Sequence, residues 1–259
     1  MKKKSHNNKY LAGHQRSWVW GRHAVTEILD AGRWPVLELY LSDDLAPDKL
    51  NHYAALGKGM GADVAFVKRE RIRELCGATD NQGYLARMGP YPYATWDDVY
   101  ELQHENESAP LYVMLDAMRD AHNFGGIVRS AAALRATAVI VGMNDQSPVN
   151  NHVVRASAGA VNRIPLIQTD SLKETLIALK GDGVVCAAAD TNGTLPVWQY
   201  NFNQSTVLVF GNESAGITPE LLECCDKRLV IPDNDILDSL NVAAAAAAIL
   251  YEALRQKSF

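Results

Sequence analysis

The sequence has few cysteines and lacks any long apolar run. Its four cysteines are Cys76, Cys186 and the adjacent pair Cys224 and Cys225, which form no C-x-x-C spacing. No histidine stands at ligand spacing from them, so the pattern argues against a disulfide framework and a metal site and is typical of a reducing cytoplasm. No stretch of eighteen apolar residues occurs, and no apolar segment follows the basic N-terminus, which argues against a membrane span and secretion.

An excess of positive charge is also missing. The chain has 25 Lys and Arg against 30 Asp and Glu, a net charge of −5. Proteins that bind nucleic acid usually carry a basic surface, so this balance argues against nucleic-acid binding through overall charge. Local basic clusters do occur, at residues 2–4 and in the run KRERIR at residues 68–73. A solvated charged face is the ordinary explanation of such a run, and an RNA contact is the alternative.

Two nucleotide-binding patterns are absent. The sequence contains neither G-x-G-x-x-G nor G-x-x-x-x-G-K-[ST]. The first pattern binds the pyrophosphate of dinucleotides, and the second binds the phosphates of ATP and GTP. Their absence argues against a nicotinamide-dependent dehydrogenase and against a P-loop enzyme.

Residues 16–90 show the alternating helical and strand patterns of a small α/β domain. HAVTEILDAG has apolar residues at helical spacing, and Gly32 is a natural helix stop. The runs VLELYL, DVAFV and GYLARM are predicted strands. A flexible basic N-terminus, residues 1–15, precedes this domain. Residues 91–109 are rich in polar residues and bounded by prolines, which predicts a linker.

Residues 110–259 alternate apolar strands with helical segments. The predicted strands are LYVMLDAM, AVIVGM, IPLIQ, VVCAAA and TVLVFG. Continuous apolar strands separated by helices indicate a mostly parallel sheet covered by helices on both faces. Ligands of such sheets bind beyond the carboxyl ends of the strands, so the loops that follow the strands are the candidates for chemistry.

The first polar loop lies in DAMRDAHNFGGIVRSAAAL, residues 116–134. A polar turn holds Asn123, a pair of glycines permits a close approach, and the following helix presents Arg129 early in its length. The N-terminus of a helix after a glycine turn is a place for anions or polar ligands. For Arg129 taken alone, an ion pair on the helix surface is the ordinary explanation.

The second polar loop is VFGNESAGITPEL, residues 209–221. A strand runs into Gly211, a carboxylate follows at Glu213, and Gly216 bends the chain. Thr218 is a predicted N-cap, with Pro219 at the first helical position. This order of strand, glycine turn and helix predicts a loop that faces a ligand, although Glu213 alone would be explained by local pairing.

The third loop leads from Ile231 and Pro232 to the triplet Ser239, Leu240 and Asn241, after which six alanines follow in succession. Serine at the start of a helix is most often an N-cap. The alanines either allow another surface to pack very close or belong to an ordinary buried helix. We interpret the triplet as the floor of a cofactor site.

Together the three loops resemble the motifs of the SpoU (TrmH-type) branch of the SPOUT RNA ribose 2′-O-methyltransferases. HNFGGIVRSA resembles the first motif, LVFGNESAGITPEL the second, and VIPDNDILDSLNVAAAAAAILYE the third. The resemblance covers nearly all of residues 110–256. Residues 18–95 are similar, less specifically, to the L30e-like substrate-binding domain of rRNA-modifying members, best in WVWGRHAVTEIL and NQGYLARMGPYPYATWDDV.

The resemblance implies a cofactor, a fold and a set of site residues. It implies S-adenosylmethionine as cofactor, a C-terminal trefoil knot and a homodimer formed through the knotted domain, with no metal and no membrane partner. The cofactor would be held by backbone groups around Phe210, Gly211, Gly216, Ile231, Pro232 and Leu240. The reaction centre would be shaped by Asn123, Arg129, Glu213, Ser239 and Asn241. The residues expected to contact RNA are Arg22, Lys68 and Arg69, which belong to local basic patches.

The sequence departs from the family pattern in the third motif. The family usually has methionine and then a glycine after the proline, whereas residues 233–235 here read Asp-Asn-Asp. A serine common after Asn-Val is Ala243, and a proline common before the first motif's histidine is Ala121. These departures put the cofactor affinity and the loop shape near residues 233–238 in question, while the catalytic residues are intact.

The predicted activity is methylation of a ribose 2′-hydroxyl in structured RNA, with ribosomal RNA favoured over transfer RNA because of the N-terminal domain. Arg129 is expected to stabilise the developing alkoxide and to grip a phosphate, since arginine keeps its charge. An RNA phosphate or a water is preferred over Arg129 as proton acceptor. The alternatives are a tRNA methyltransferase, a resistance-type rRNA methylase and a catalytically silent RNA-binding or assembly factor.

Overall fold

The computed structural model describes residues 17–104, 108–232 and 240–258. The helices, in chain order, are α1 (Arg22–Ala31), α2 (Pro47–Gly59), α3 (Arg69–Cys76), α4 (Trp96–His104), α5 (Ala121–Ala133), α6 (Asn151–Ala156), α7 (Leu172–Gly181), α8 (Pro219–Leu222) and α9 (Val242–Ser258). The strands are β1 (Trp18–Trp20), β2 (Val36–Ser42), β3 (Asp63–Val67), β4 (Tyr84–Met88), β5 (Leu111–Leu115), β6 (Ala138–Gly142), β7 (Leu166–Thr169), β8 (Val185–Ala189), β9 (Leu195–Pro196), β10 (Thr206–Phe210) and β11 (Lys227–Val230).

The chain divides into two compact units. Unit 1 takes Met1–Pro92 and Val149–Asn162, and unit 2 takes Tyr93–Pro148 and Arg163–Phe259. The segment 149–162 therefore belongs with the N-terminal part, which the sequence did not predict. Residues 91–109, interpreted above as a linker, contain α4, and Val99 of that helix is fully buried in the core of unit 2. The basic N-terminus, residues 1–15, lies outside the described residues.

Unit 1 has a small mixed sheet of order β1-β4-β2-β3. β2 and β3 are parallel, and β4 is antiparallel to both β1 and β2. The amphipathic helix α1 buries Val25, Ile28 and Leu29 and ends at Gly32, whose φ of 65° is the left-handed conformation that the sequence predicted there. The three strands predicted from the sequence are confirmed as β2, β3 and β4, and β1 was not predicted.

Unit 2 is built on a parallel sheet of order β7-β6-β5-β10-β8-β11-β9. Successive side chains of a strand point to opposite faces, and every residue of β5, β6 and β10 is buried, so both faces of the sheet are covered. On one face α5 and α9 pack against each other. The α/β class and the mostly parallel sheet predicted from the sequence are confirmed.

In the part of the chain that the structure describes, every helix is too short or too polar to traverse a lipid bilayer.

Candidate active site and cofactor cleft

A cleft of about 910 Å³ lies at the carboxyl ends of β10, β8 and β11, bordered by the first turns of α9. The ends of parallel strands are the usual ligand site of such sheets, because their loops meet at one edge. All six predicted cofactor residues line it: Phe210, Gly211, Gly216, Ile231, Pro232 and Leu240. Glu213 and Asn241 line it as well. The structure therefore brings the second and third motifs together in one cleft.

The loop after β10 crosses itself at Gly211. A Cβ atom added there would lie 2.1 Å from the carbonyl carbon of Gly216 and 2.2 Å from the nitrogen of Ile217. The crossing is closed by two backbone hydrogen bonds, in which the N–H groups of Asn212 and Gly216 each donate to the other's carbonyl at 3.0 and 2.8 Å. Because both close neighbours are backbone atoms, only glycine fits at position 211.

Asp116 anchors this loop, and the sequence did not predict a role for it in the site. The residue follows β5 and is 6 % exposed. Its Oδ2 accepts the backbone N–H of Thr218 at 2.7 Å, and its own N–H donates to the carbonyl of Phe210 at 2.9 Å. A buried carboxylate at the end of a strand needs such donors, which is the signal that could have identified it.

Thr218 occupies the predicted N-cap position of α8, but its hydroxyl makes no cap hydrogen bond. That hydroxyl is buried and lacks a partner among the described residues. The position predicted from the sequence is thus confirmed, while the bond expected of it is not formed. The backbone N–H of Thr218 is used instead, by Asp116.

A chain of side-chain hydrogen bonds joins the three motifs. The amide Nδ2 of Asn241 donates to Oδ1 of Asn123 at 2.9 Å, and Nδ2 of Asn123 donates to Oε1 of Glu213 at 2.5 Å. The other atom of the Asn241 amide, Oδ1, accepts the N–H groups of Ala243 and Ala244 at 3.0 and 3.3 Å. Every amide atom of this pair therefore has a definite role, which fixes both side-chain orientations.

The same contacts settle how α9 begins. The side chain of Asn241 accepts the first N–H groups of the helix, so Asn241 is the N-cap. Ser239, the residue for which a capping role was considered, lies outside the described residues, as do residues 233–235 with their acidic departures from the family pattern. The Asn241 cap couples the start of α9 to the first motif.

The alanine run packs closely against α5. A Cβ added at Gly126 would lie 3.2 Å from the Cβ of Ala243, so a small residue on each helix lets the two backbones approach. Ala246 is fully buried, and Ala245 lines the cleft. Ala243 and Ala246 therefore face neighbouring surfaces of the same unit, and Ala245 faces the cleft.

Arg129 does not join the hydrogen-bonded chain. It is the ninth residue of α5, six residues after Asn123, which is roughly 9 Å along the helix axis. Because α5 already begins at Ala121, the predicted polar turn at Asn123 is helical, and the prediction that Arg129 comes early in the helix was wrong. The side chain is exposed. Within residues 17–104, 108–232 and 240–258 it has no hydrogen bond or ion pair, so the surface ion pair that offered the ordinary explanation is not found there.

In unit 1 the three predicted RNA-contacting residues are all exposed. Arg22 is the first residue of α1, and Lys68 precedes α3. Arg69 is paired with Asp44, its Nε lying 2.5 Å from Oδ2. Arg71 of the same basic run pairs with Glu74 at 3.0 Å. Part of the positive charge of this run is therefore neutralised locally.

Cys186 and Cys225 do not provide reactive thiolates. Burial raises the pKa of the Cys186 thiol to about 12 and the pKa of the Cys225 thiol to about 12. Thiols with such values stay protonated near neutral pH and are poor nucleophiles. Among the described residues, no three His, Cys, Asp or Glu side chains are grouped as metal ligands would be.

Comparison with known proteins identifies both parts of the chain. Residues 110–251 match the SpoU rRNA Methylase family, and residues 18–94 match the family described as RNA 2′-O ribose methyltransferase substrate binding. The 23S rRNA (guanosine-2′-O-)-methyltransferase RlmB of Acinetobacter baylyi is 31% identical over 243 residues, covering 93% of this chain and 97% of that protein.

Solved structures agree. The AdoMet-bound rRNA methyltransferase of Sinorhizobium meliloti superposes with a TM-score of 0.79 at 26% identity, covering 96% of this chain and 90% of that one. The TrmH/SpoU tRNA modifying enzyme of A. aeolicus, at 28% identity and a TM-score of 0.53, covers 62% of this chain and 83% of its own. This chain belongs to the SpoU family of RNA 2′-O-ribose methyltransferases, which use S-adenosylmethionine.

Proposed function

We propose that this chain methylates a ribose 2′-hydroxyl in ribosomal RNA, with S-adenosylmethionine bound in the cleft at the ends of β10, β8 and β11. The observation that carries the proposal is the hydrogen-bonded chain from Asn241 through Asn123 to Glu213, which assembles three separated motifs at the mouth of this cleft. The substrate preference is supported by coverage: rRNA enzymes match nearly the whole chain, whereas the A. aeolicus tRNA enzyme matches 62% of it.

The residues of the cleft fit this cofactor. Phe210, Ile231 and Leu240 give apolar surface and backbone groups, the usual lining of a site for a nucleoside-sized ligand. A Cβ at Gly216 would meet no atom within 4 Å, so a ligand can approach the backbone there. Glu213 adds a carboxylate to the lining, which suits a cofactor that carries a positive sulfonium.

S-adenosylmethionine supplies an already electrophilic methyl group, so the enzyme must align the ribose oxygen and stabilise it as its proton leaves. Arg129 is the residue that we assign to this task. Its guanidinium keeps its charge at any ordinary pH, and it can stabilise the developing alkoxide and grip a flanking phosphate. An RNA phosphate or a water then takes the proton.

The hydrogen-bonded side chains have positioning roles in this scheme. Asn241 Oδ1 accepts two N–H groups of α9 and its Nδ2 donates to Asn123, so this residue fixes the start of α9 and the orientation of Asn123. Asn123 is oriented from both sides and retains one N–H and one lone pair that can meet the ribose. Glu213 fixes the amide of Asn123. We assign Ser239, the remaining residue predicted to shape the reaction centre, to the same place.

Unit 1 would bind the RNA substrate. We assign Arg22, Lys68 and Arg69 to this contact because all three are exposed cations of the substrate-binding part. Changing Lys68 and Arg69 together to glutamate is expected to weaken RNA binding at least tenfold in a filter-binding assay at fixed salt. The Kd for S-adenosylhomocysteine should not change. Unaltered RNA affinity would refute the assignment.

We further propose that the enzyme is a homodimer formed through unit 2. Ala244, Ala248 and Tyr251 lie on one face of α9 and are exposed, Tyr251 by 61 %. A continuous apolar face of this kind suits a partner surface. Ala248→Glu is expected to convert the dimer to a monomer in light scattering, whereas Lys173→Glu on α7 should leave the mass unchanged. A monomeric native protein would exclude the homodimer.

Two more expectations belong to this proposal. A trefoil knot would be formed in the C-terminal part of unit 2, and the enzyme would act in the cytoplasm. The first follows from the family likeness of residues 110–256, and the second from the cysteine pattern.

The test of the activity uses S-adenosylmethionine with a radiolabelled methyl group and total RNA from a strain that lacks the gene. Label is expected in ribosomal RNA as a single 2′-O-methylnucleotide. Arg129→Ala should lower kcat about 10²- to 10³-fold, because a charged group at the reacting oxygen is lost, and should leave cofactor binding within twofold. Lys173→Ala is the matched control and should retain full activity.

Four outcomes would contradict the proposal. Label in transfer RNA would overturn the substrate preference, and label on a base would overturn the reaction. Equal labelling by native protein and Arg129→Ala would remove Arg129 from the mechanism. Cofactor binding without any labelling would favour a silent RNA-binding factor if assembling ribosomal particles are also not methylated.

A further inference from the structure

A second polar pair lies in the cleft, away from the hydrogen-bonded chain. Asp190 directly follows β8, and Arg228 lies on β11. Both line the cleft. Oδ2 of Asp190 accepts Nε–H of Arg228 at 2.6 Å and also contacts Nη2 of the same guanidinium. Oδ1 accepts the backbone N–H of Asn192 at 2.9 Å. None of the three SpoU motifs contains either residue.

The strand order places this pair at the far end of the cleft from the reaction centre. Glu213 belongs to the loop after β10, while Asp190 and Arg228 belong to β8 and β11, the next two strands. Neighbouring strands lie about 4.8 Å apart, so β11, which carries Arg228, is roughly 10 Å from β10, whose loop carries Glu213. With the sulfonium near Glu213, as the proposed function implies, the ribose of the cofactor would extend toward β8 and β11.

The chemistry of Asp190 suits that part of the cofactor. A ribose presents two adjacent hydroxyl donors, and an aspartate or glutamate accepts them in dinucleotide-binding folds. A carboxylate has about four lone-pair sites, and three N–H donors occupy this one, so at least one site is left. The side chain of Asp190 is 13% exposed and that of Arg228 46%, so a ligand in the cleft can reach both.

We propose that Asp190 receives a ribose hydroxyl of S-adenosylmethionine and that Arg228 is a positioning residue that holds the Asp190 carboxylate toward the ligand. This inference rests on the proposed function, since it takes the cleft to be the cofactor site. It makes Asp190 the residue by which the enzyme distinguishes a ribonucleoside from a deoxyribonucleoside cofactor.

A purely structural role makes a different prediction. In that case the Asp190–Arg228 pair serves only to hold the loop after β8 against β11. The backbone already joins the two, since the N–H of Asp190 donates to the carbonyl of Leu229 at 2.9 Å. Removing Asp190 would then weaken the binding of every ligand in the cleft by the same factor. A hydroxyl acceptor instead changes the ratio between ligands that differ in one hydroxyl.

The experiment is therefore a comparison of ligands by isothermal titration calorimetry. The probes are S-adenosylhomocysteine and its 2′-deoxy and 3′-deoxy analogues, bound to the native protein, Asp190→Ala, Asp190→Asn and Arg228→Met. Asp170→Ala is the matched control, because Asp170 is an exposed aspartate of unit 2 outside the cleft lining. S-adenosylhomocysteine lacks the sulfonium charge, which keeps the loss of a carboxylate from acting through net charge alone.

The native protein is expected to bind at least one deoxy analogue tenfold or more weakly than S-adenosylhomocysteine, since a hydrogen bond to a charged acceptor is lost. In Asp190→Ala this ratio of dissociation constants should fall to about one, because the carboxylate that accepts the hydroxyl is absent for both ligands. Asp190→Asn should keep part of the ratio through its amide oxygen. Arg228→Met should lower the ratio without abolishing it, and Asp170→Ala should reproduce the native values.

Several results would overturn the inference. One is that the native protein binds all three ligands with equal affinity. Another is that the ratio of affinities measured for the native protein is unchanged in Asp190→Ala. If the Asp190 variants do not fold, an unchanged ratio in Arg228→Met would count against it in the same way. Failure of the native protein to bind S-adenosylhomocysteine at all would instead contradict the proposed cofactor cleft, so the two failures are distinguishable.

Discussion

The cleft loops of unit 2 and the basic run of unit 1 were both predicted to contain functional residues, but their polar side chains have different kinds of partner in the structure. In the cleft, polar side chains bond to partners far along the chain, Asn123 to Glu213 and Asn241 to Asn123. In the basic run at residues 68–73, Arg71 pairs with Glu74, only three residues away. Polar residues that are spaced widely and meet in the fold point to a site more strongly than a local concentration of charge.

The physical reason lies in solvent. Exposed ion pairs such as Arg69 with Asp44 are worth only about 0–1 kcal/mol, so they form wherever opposite charges are near and carry little information. The hydrogen bonds of Asn123, in the first turn of α5, need Glu213 and Asn241 to arrive at the correct distance, which requires the whole sheet. Four changes test this contrast.

Gly211→Ala should have the largest effect. The added methyl would lie about as close as a covalent bond to the backbone of Gly216 and Ile217, so the loop must move. We expect the free energy of unfolding to fall by about 3 kcal/mol or more and S-adenosylhomocysteine binding to be lost. Urea denaturation and calorimetry measure the two effects.

The control for that change is Gly181→Ala at the end of α7, where an added Cβ meets no atom within 4 Å. It should alter the free energy of unfolding by less than about 1 kcal/mol and leave binding intact. Normal ligand binding by Gly211→Ala would show that the crossing is not needed for the site.

Asn241→Ser separates the two roles of Asn241. Serine caps helices about as well as asparagine, so α9 should keep its start and the free energy of unfolding should stay within about 0.5 kcal/mol. The bond to Asn123 is lost, and we expect kcat to fall about tenfold. Asn241→Ala should lose the cap as well and cost about 1 kcal/mol more in stability. A serine variant with native kcat would mean that the chain of side chains does not position the reaction.

Glu252 on α9 provides an ion pair that is more buried than those of the basic run. Hydrogen bonds from Arg255, and to a lesser extent from Gln256, lower the pKa of Glu252 from 4.5 to about 2. Because the folded-state pKa is lowered, the stabilisation is present above pH 4.5 and is lost as the pH falls toward 2.

Glu252→Gln should therefore lower the free energy of unfolding by about 1 kcal/mol at pH 7. This is less than the full change in the pKa of Glu252 would give, because Arg255 is half exposed and solvent screens the pair. The difference between native protein and variant should shrink between pH 4.5 and 2 in urea titrations. A difference that does not depend on pH would show that the carboxylate charge has no part in it.

Asp44→Asn should have the smallest effect, and in the favourable direction. It releases Arg69 from its ion pair, and a released cation is available to an RNA phosphate. We expect RNA affinity to rise about threefold at low salt and the gain to shrink as salt is added. Asp48→Asn changes the net charge equally without releasing Arg69, so an equal gain there would assign the effect to overall charge.

Parts of the fold and of the site followed from residue types and spacing. The helix stop at Gly32, the strand that runs into Gly211 and the N-cap position at Thr218 were predicted and are observed. Asp116 and Asp190 were not predicted as parts of the site. An aspartate after an apolar strand reads as an ordinary strand end, and only the fold shows that the N–H of Thr218 and the guanidinium of Arg228 meet these carboxylates.

By itself the sequence determined the α/β class, the parallel sheet, the order of the three motifs and the family, because these depend on local periodicity and on residue types at set spacings. The tertiary structure alone decided that residues 149–162 belong to unit 1 and that the side chain of Asn241 caps α9. It also joined Asn123 to Glu213 and Asn241 while leaving Arg129 outside that chain. Apart from the cap, these features depend on segments about a hundred residues apart, and such contacts depend on sheet order and helix packing, which no local pattern encodes.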